Sequence, residues 1–386
     1  MTYLDNAATT FPKPQQVYDA MIDCMQNYCA NPGRAGHKLA MKAAREIYYT
    51  RENIAKLFNV SNPMNIIFTS NATESLNLAI KGLVQEGDHI ITTSMEHNSV
   101  IRPIKALERY NVENTIVSCE KDGSLDVSKI KEAIKPNTKL IVTTHASNVC
   151  GTLIDIESVG TIAKENKIVY LVDASQTAGV YDIDVNKQNI DMLAAPGHKC
   201  LLGPQGTGIL YIREGIKLTE LKEGGTGSKS EDLFQPDLYP DKYESGTHNT
   251  PGIIGLGKGV EYILTEGIDK IRKHEEELCE YMLKRLEEID NIEIYGIKDS
   301  KKRAAVISIN IKDIDSGEVT YLLDSEYDIA TRSGIHCAPL AHKTMGTLET
   351  GAVRFSFGYF NKKEDIDRTI EALKQIVNND KIEIGL

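Results

Sequence analysis

Between residues 65 and 213, short β-branched and apolar runs alternate with stretches of helical period, a pattern that predicts a mainly parallel sheet flanked by helices. Strands are expected at 66–68, 89–92, 140–143, 168–172, 192–194 and 208–212. Several are apolar on both faces, as strands buried between two helical layers must be. Helices are expected between them, at 73–84 and 100–110 for example, with an earlier one over 36–58. Residues 214–250 are rich in glycine and charge without periodicity, and read as a long surface loop. The stretch 253–289 reads as helical, with His274-Glu275-Glu276-Glu277 on a solvated face. Strands at 305–311 and 352–357 then alternate with helices at 317–327 and 363–377, an α+β pattern that suggests a smaller second domain. No internal repeat or low-complexity tract is visible.

Composition narrows the function. At 386 residues with 41% hydrophobic and 26% charged positions, the chain has the makeup of a globular, enzyme-sized protein. Its net charge of −11 supplies no global positive field for nucleic acid or an anionic membrane, so neither partner is expected. Seven cysteines make an odd count without a C-x-x-C pair, which argues against a disulfide framework or zinc ribbon and for a reducing, cytoplasmic setting. Neither a signal peptide nor an 18-residue apolar span is read, and the scattered histidines show no metal-ligand spacing.

Ligands of open α/β sheets bind beyond the carboxyl ends of the strands. Five strand ends here are polar: Ser70-Asn71-Ala72-Thr73-Glu74, Met95-Glu96-His97-Asn98, His145-Ala146-Ser147-Asn148, Asp173-Ala174-Ser175-Gln176 and Pro196-Gly197-His198-Lys199. Taken singly, each is an ordinary turn or helix cap. Asp173 is harder to dismiss, because an acid closing an apolar strand must be paired or open to a cleft. A lysine kept from water becomes a nucleophilic amine able to form a Schiff base, which suggests pyridoxal phosphate. That cofactor asks for an acid at its pyridine nitrogen, an imidazole or aromatic face against the ring, and helix N-terminal amides for its phosphate. Asp173, His97 and the Ala72-Thr73 turn offer one of each.

The segments Tyr3-Leu4-Asp5-Asn6-Ala7-Ala8-Thr9-Thr10, Ala72-Thr73-Glu74-Ser75-Leu76-Asn77, Met95-Glu96-His97-Asn98, Ser147-Asn148-Val149-Cys150-Gly151, Val172-Asp173-Ala174-Ser175-Gln176, Gly197-His198-Lys199 and Arg332-Ser333-Gly334-Ile335-His336-Cys337 occur in this order. Together they resemble the class V aminotransferase superfamily, and within it the cysteine desulfurases, over essentially the whole chain. The resemblance implies an α/β fold of the aspartate aminotransferase-like, pyridoxal-phosphate-dependent type. Its large cofactor domain would span 15–260, and its small domain, bearing the nucleophilic cysteine, 1–14 and 261–386.

By similarity, Lys199 is the Schiff-base lysine, Asp173 pairs with the pyridinium nitrogen, Gln176 bonds the ring hydroxyl, His97 stacks on the ring and Asn148 lines the site. Ala72, Thr73, His198 and, from a second subunit, Thr247 would hold the phosphate. Arg354 would clamp the substrate carboxylate, with Ala7, Asn148, His336 and Arg332 nearby, and Cys337 would take the sulfur. The nearness of Arg332 and His336 in sequence suggests that both lower the Cys337 thiol pKa.

Only 17 positions separate Cys337 from Arg354, which resembles the short-loop group II enzymes, including selenocysteine lyase-like members. One departure stands out: Pro196 occupies the place where many relatives carry a phosphate-binding serine, and it offers neither hydroxyl nor N–H. The implied activity converts L-cysteine to L-alanine and a persulfide for a protein acceptor, in a homodimer. L-Selenocysteine cleavage, or another lyase or aminotransferase reaction of the same fold, is the alternative; a non-catalytic sulfur-trafficking protein is a third reading. Gly224-Gly225-Thr226-Gly227-Ser228-Lys229-Ser230 mimics a phosphate loop, but no buried strand leads into it. The Asn71-Ala72-Thr73 sequon is read as a chance match.

Overall fold

A computed structural model describes residues 1–33 and 36–378. After the short strand β1 (Thr2–Tyr3) come α1 (Gln15–Asn27) and α2 (Lys38–Leu57). The alternating block then runs β2 (Ile66–Thr69), α3 (Ala72–Leu83), β3 (His89–Thr93), α4 (Asn98–Leu107), β4 (Glu113–Val117), α5 (Ser128–Glu132), β5 (Thr138–Thr144), α6 (Ile156–Glu165), β6 (Val169–Asp173), β7 (Met192–Pro196) and β8 (Gly208–Ile212). These strands form one seven-stranded sheet in the order β2-β8-β7-β6-β5-β3-β4. Only β8 is reversed, pairing antiparallel with both β7 and β2. The five polar strand ends belong to β2, β3, β5, β6 and β7, which point the same way, so all five emerge at one edge of the sheet.

The strand order changes direction between β3 and β5, which places a crevice between the His97 and Asn148 turns. One face of the sheet packs a core that includes Ile141, Val172 and Leu193, and the other a core with Leu140, Leu171 and Met192. Consecutive residues of one strand thus enter opposite cores, which accounts for the unbroken apolar runs. The edge strand β4 is absent from the sequence reading. Its Glu113-Asn114-Thr115 start is polar, since it pairs with β3 alone and faces solvent. The helix α1 escapes notice as well, because it exposes Tyr18, Ile22 and Met25 opposite its buried Val17 and Cys24.

The stretch 253–289, read as helical, holds two helices, α7 (Thr250–Glu266) and α8 (Ile268–Leu286). Gly267, at φ +88°, makes the break, a conformation that side-chain-bearing residues rarely adopt. The expected solvated face of α8 also needs correction. Glu275 is buried with 7% exposure, and His274 is half-buried with Nε2 2.9 Å from the Asn361 carbonyl oxygen. Beyond α8 lie β9 (Ile292–Tyr295), β10 (Val306–Ile311), α9 (Ser316–Ser325), β11 (Ile329–Ala330), α10 (Pro339–Met345), β12 (Val353–Ser356) and α11 (Lys363–Asn378). A three-stranded antiparallel sheet, β12-β10-β9, packs with α8, α9 and α11 around its own core. The chain's first residues join this unit, β1 lying parallel to β11 and Asp5 bridging Ser356. No helix among the described residues is long and apolar enough to cross a membrane.

Candidate active site

At the polar edge of the large sheet lies a cleft of about 610 Å3, lined by Ala72, Thr73, His97, Asn148, Asp173, Gln176, Pro196, His198 and Lys199 among others. These include eight of the residues expected to bind a cofactor. Each is carried there by a strand-to-helix turn or a strand end. Asn71 caps α3 by accepting from the Glu74 N–H, which leaves the first amides of the helix, at Ala72 and Thr73, facing the cleft edge. His97 caps α4 in the same manner: its Nδ1 accepts from the Ser99 N–H at 3.1 Å. Burial and the nearby Lys199 cation push the His97 pKa down to about 4, so the imidazole is neutral.

Asp173 ends β6 with 3% exposure, and its Oδ1 accepts from both the backbone N–H and the hydroxyl of Ser175. These bonds fix the carboxylate orientation, a role for Ser175 that the motif alone did not assign. The Gln176 amide donates to the Ala7 carbonyl at 3.2 Å, tying the chain start to the floor of the cleft. The Lys199 side chain makes no hydrogen bond or ion pair among the described residues. Desolvation brings its pKa down to about 8; Asp173 opposes that shift and Arg354 adds to it. The His198 carbonyl preceding it accepts from Lys13 Nζ (2.6 Å), Thr9 Oγ1 (3.2 Å) and Thr10 N (3.1 Å). His198 Nδ1 is buried without a partner.

The residues expected to bind the substrate and take its sulfur come from the smaller sheet's unit. Arg354 on β12 has 1% exposure and spends its fork on protein groups, with Nη2 on Asp5 Oδ1 (2.6 Å) and Nη1 on the Asn148 carbonyl (3.0 Å). Cys337 is exposed, and its Sγ lies 3.9 Å from Arg332 Nη2. Two bonds fasten its loop to the large sheet: Asn148 Nδ2 donates to the His336 carbonyl (2.8 Å), and the Asn98 N–H donates to the Cys337 carbonyl (2.8 Å). The expectation that His336 lowers the thiol pKa by charge is not met. Burial and the neighbouring Arg354 hold the His336 pKa near 3, leaving the ring uncharged, while the Arg332 guanidinium lies 3.9 Å from the sulfur.

Thr247 is exposed on the loop between β8 and α7, outside the cleft. That loop is anchored by Glu244, which accepts from Arg51 and from the Phe68 N–H. Among the other cysteines, Cys29 is also exposed, and Cys24, Cys119, Cys150 and Cys279 are buried.

The model of the aminotransferase class-V family matches residues 2–369. The chain belongs to that family. Class-V relatives include a probable cysteine desulfurase of Methanothermobacter thermautotrophicus, 37% identical over 97% of this chain and 94% of that protein. Another, from Borreliella burgdorferi, is 36% identical over 97% and 91%. Among solved structures, the apo cysteine desulfurase of Thermococcus onnurineus NA1 superposes with a TM-score of 0.92 at 33% identity, covering 97% of this chain and 94% of that one. The Escherichia coli cysteine desulfurase CsdA, in its S-sulfonic acid form, gives a TM-score of 0.87 at 27% identity over 97% and 94%.

Proposed function

We propose that this class-V protein is a pyridoxal-phosphate-dependent cysteine desulfurase, which converts L-cysteine to L-alanine and keeps the sulfur as a persulfide on Cys337. One observation carries the reading: an exposed thiol with an arginine at 3.9 Å is fastened, through Asn98 and Asn148, to the rim of a cleft holding an unpaired lysine and a buried aspartate. The residues fit the cofactor. The Lys199 side chain is half-buried with no competing partner among the described residues, His198 Nδ1 lacks one there too, and Ala72 and Thr73 at the start of α3 line the same cleft as Asp173. Lys199 would hold its aldehyde, Asp173 its ring nitrogen, Gln176 its hydroxyl and His97 its face. Ala72, Thr73 and His198, with Thr247 of a second copy, would hold its phosphate. Pro196 leaves that phosphate to these groups. When bound, the cofactor supplies an electron sink for the charge left at the substrate Cα.

The chain's own groups do the rest. Arg354 and Arg332 hold the substrate carboxylate by charge-assisted bonds, near Asn148, His336 and Ala7. Lys199, with a pKa near 8, takes the α-proton and later returns a proton. The Cys337 thiolate attacks the substrate sulfur as the C–S bond breaks; its electron pair stays with the three-carbon product, which gains a proton to become alanine. The persulfide is left beside Arg332, within reach of an acceptor thiol. Residues 15–260 form the cofactor domain, and 1–14 with 261–386 the thiol-bearing domain. Seven unpaired cysteines fit a cytoplasmic setting.

The deciding measurement is alanine formed from L-cysteine with a reductant, comparing wild type with Cys337→Ala at equal cofactor loading. Alanine that requires Cys337 is the expected result. Equal alanine from both proteins overturns the persulfide step, and L-selenocysteine as substrate then tests the lyase alternative.

A further inference from the structure

In the smaller unit, His336 is buried against a second histidine, His342, that does not line the cleft. His342 on α10 has 0% exposure and His336 has 3%, and the two ring planes lie within 17° of parallel with centroids 5.4 Å apart. His336 Nδ1 is 3.2 Å from His342 Nε2, His336 Nε2 is 3.2 Å from the Arg332 carbonyl, and His342 Nδ1 is 2.8 Å from Thr347 Oγ1.

The partners fix where each proton sits. A carbonyl oxygen only accepts, so His336 Nε2 carries the hydrogen and its Nδ1 is a bare acceptor. His342 Nε2 must then donate to that Nδ1, which leaves His342 Nδ1 to accept from the Thr347 hydroxyl. Burial holds both rings neutral, with pKa values near 3 and 4, so each has one hydrogen to place. The bond to Arg332 closes the loop from residue 332 to residue 336. At the end of that loop His336 and the adjoining Cys337 stand at φ +51° and +58°, a left-handed pair uncommon for side-chain-bearing residues.

We propose that His342, oriented by Thr347, is a positioning residue: it sets the His336 tautomer, and through the His336–Arg332 bond holds the left-handed turn that presents Cys337 Sγ to the Arg332 guanidinium. With the opposite tautomer, His336 would turn a lone pair toward the Arg332 carbonyl. The turn would then lose a buried hydrogen bond along with the geometry it enforces. The proposal rests on the desulfurase reading only for the consequence in turnover.

The test uses cofactor-loaded protein. In 1H–15N spectra of selectively 15N-histidine-labelled wild type, both rings are expected as the Nε2–H form; an Nδ1–H His336, or a protonated one, overturns the proposal. His342→Leu removes the donor, whereas His342→Gln keeps an N–H that reaches His336 Nδ1. Leucine is expected to slow iodoacetamide modification of Cys337, followed by mass spectrometry to separate it from Cys29, by about tenfold, the effect of one lost buried bond. Alanine kcat falls in parallel, with KM and cofactor absorbance unchanged, and glutamine recovers most of both rates. Wild-type rates in His342→Leu, or no recovery with glutamine, overturn it. Should the leucine variant not fold, the wild-type tautomers decide. Failure of the desulfurase reading itself would show as alanine from Cys337→Ala, with the alkylation and tautomer results unaffected.

Discussion

Lys199 has no counter-ion among the described residues, and its lowered pKa has a direct consequence for cofactor uptake. The neutral amine is the nucleophile and its share rises through pH 8, so cofactor-stripped protein should take up pyridoxal phosphate faster as pH climbs from 6.5 to 8.5, then level off. Stopped-flow absorbance measures this; a rate flat across that range would place the pKa elsewhere. Arg354 makes the second prediction at this scale. Its planar fork already spans Asp5 and the Asn148 carbonyl, and an ammonium cannot do both while meeting a substrate carboxylate. Arg354→Lys should lower kcat/KM for L-cysteine by about 100-fold, mostly through KM, in steady-state alanine assays. At this scale the sequence was a good guide to identity and a poor one to partners. Lys199, Asp173, His97 and Cys337 could be singled out from strand ends and motif order. The neutrality of His336 could not, because it follows from burial beside Arg354, a residue 18 positions away that β12 brings in.

Among the elements, α8 departs furthest from its sequence pattern. Three consecutive glutamates look like a solvated stripe, yet helical spacing turns Glu275 inward, onto a small cavity shared with Cys200, Gln176 and Phe357. Its carboxyl makes no hydrogen bond or ion pair among the described residues, and burial raises its pKa to about 8. The unfolded chain prefers the ionised acid above pH 4.5, so this residue favours folding only at low pH and costs stability progressively as pH rises toward 8. Glu275→Gln should therefore unfold like wild type near pH 4 and prove more stable at pH 8, on the order of 2 kcal/mol by denaturant titration. An equal gap at both pH values would contradict this. Strand ends, by contrast, were readable because period and turn chemistry are local. The missed β4 and α1 carry polar or two-sided patterns, set by what lies beside them rather than by their own period.

Across the whole molecule, exposed large apolar side chains recur along α1, α2 and the 214–249 loop. Tyr18, Ile22, Met25, Leu39, Met41, Tyr48 and Tyr49 stand out along the two helices, and Leu233 and Phe234 are 98% and 89% exposed. Thr247, assigned to a neighbour's phosphate, lies on that loop. Sedimentation of the cofactor-loaded protein should therefore give a dimer of two 386-residue chains. Charging the helix face, as in Tyr48→Asp with Tyr49→Asp, should shift it toward monomer and weaken cofactor retention together. A cofactor-replete monomer would count against the Thr247 assignment.

The alternation of apolar runs determined the fold class, and the order of polar strand ends the sheet edge where a site gathers, because both are written in local spacing and residue type. The roles expected of the reacting residues came from the resemblance that the ordered motifs carry. Tertiary structure alone decided which unit supplies each group. Asn98 and Asn148 of the large sheet lock the Cys337 loop, Asp5 occupies the Arg354 fork, and His342 reaches His336 across the loop. Such partners are distant in sequence or cross between the two sheets, and their effect depends on burial and direction, which no single stretch of chain encodes.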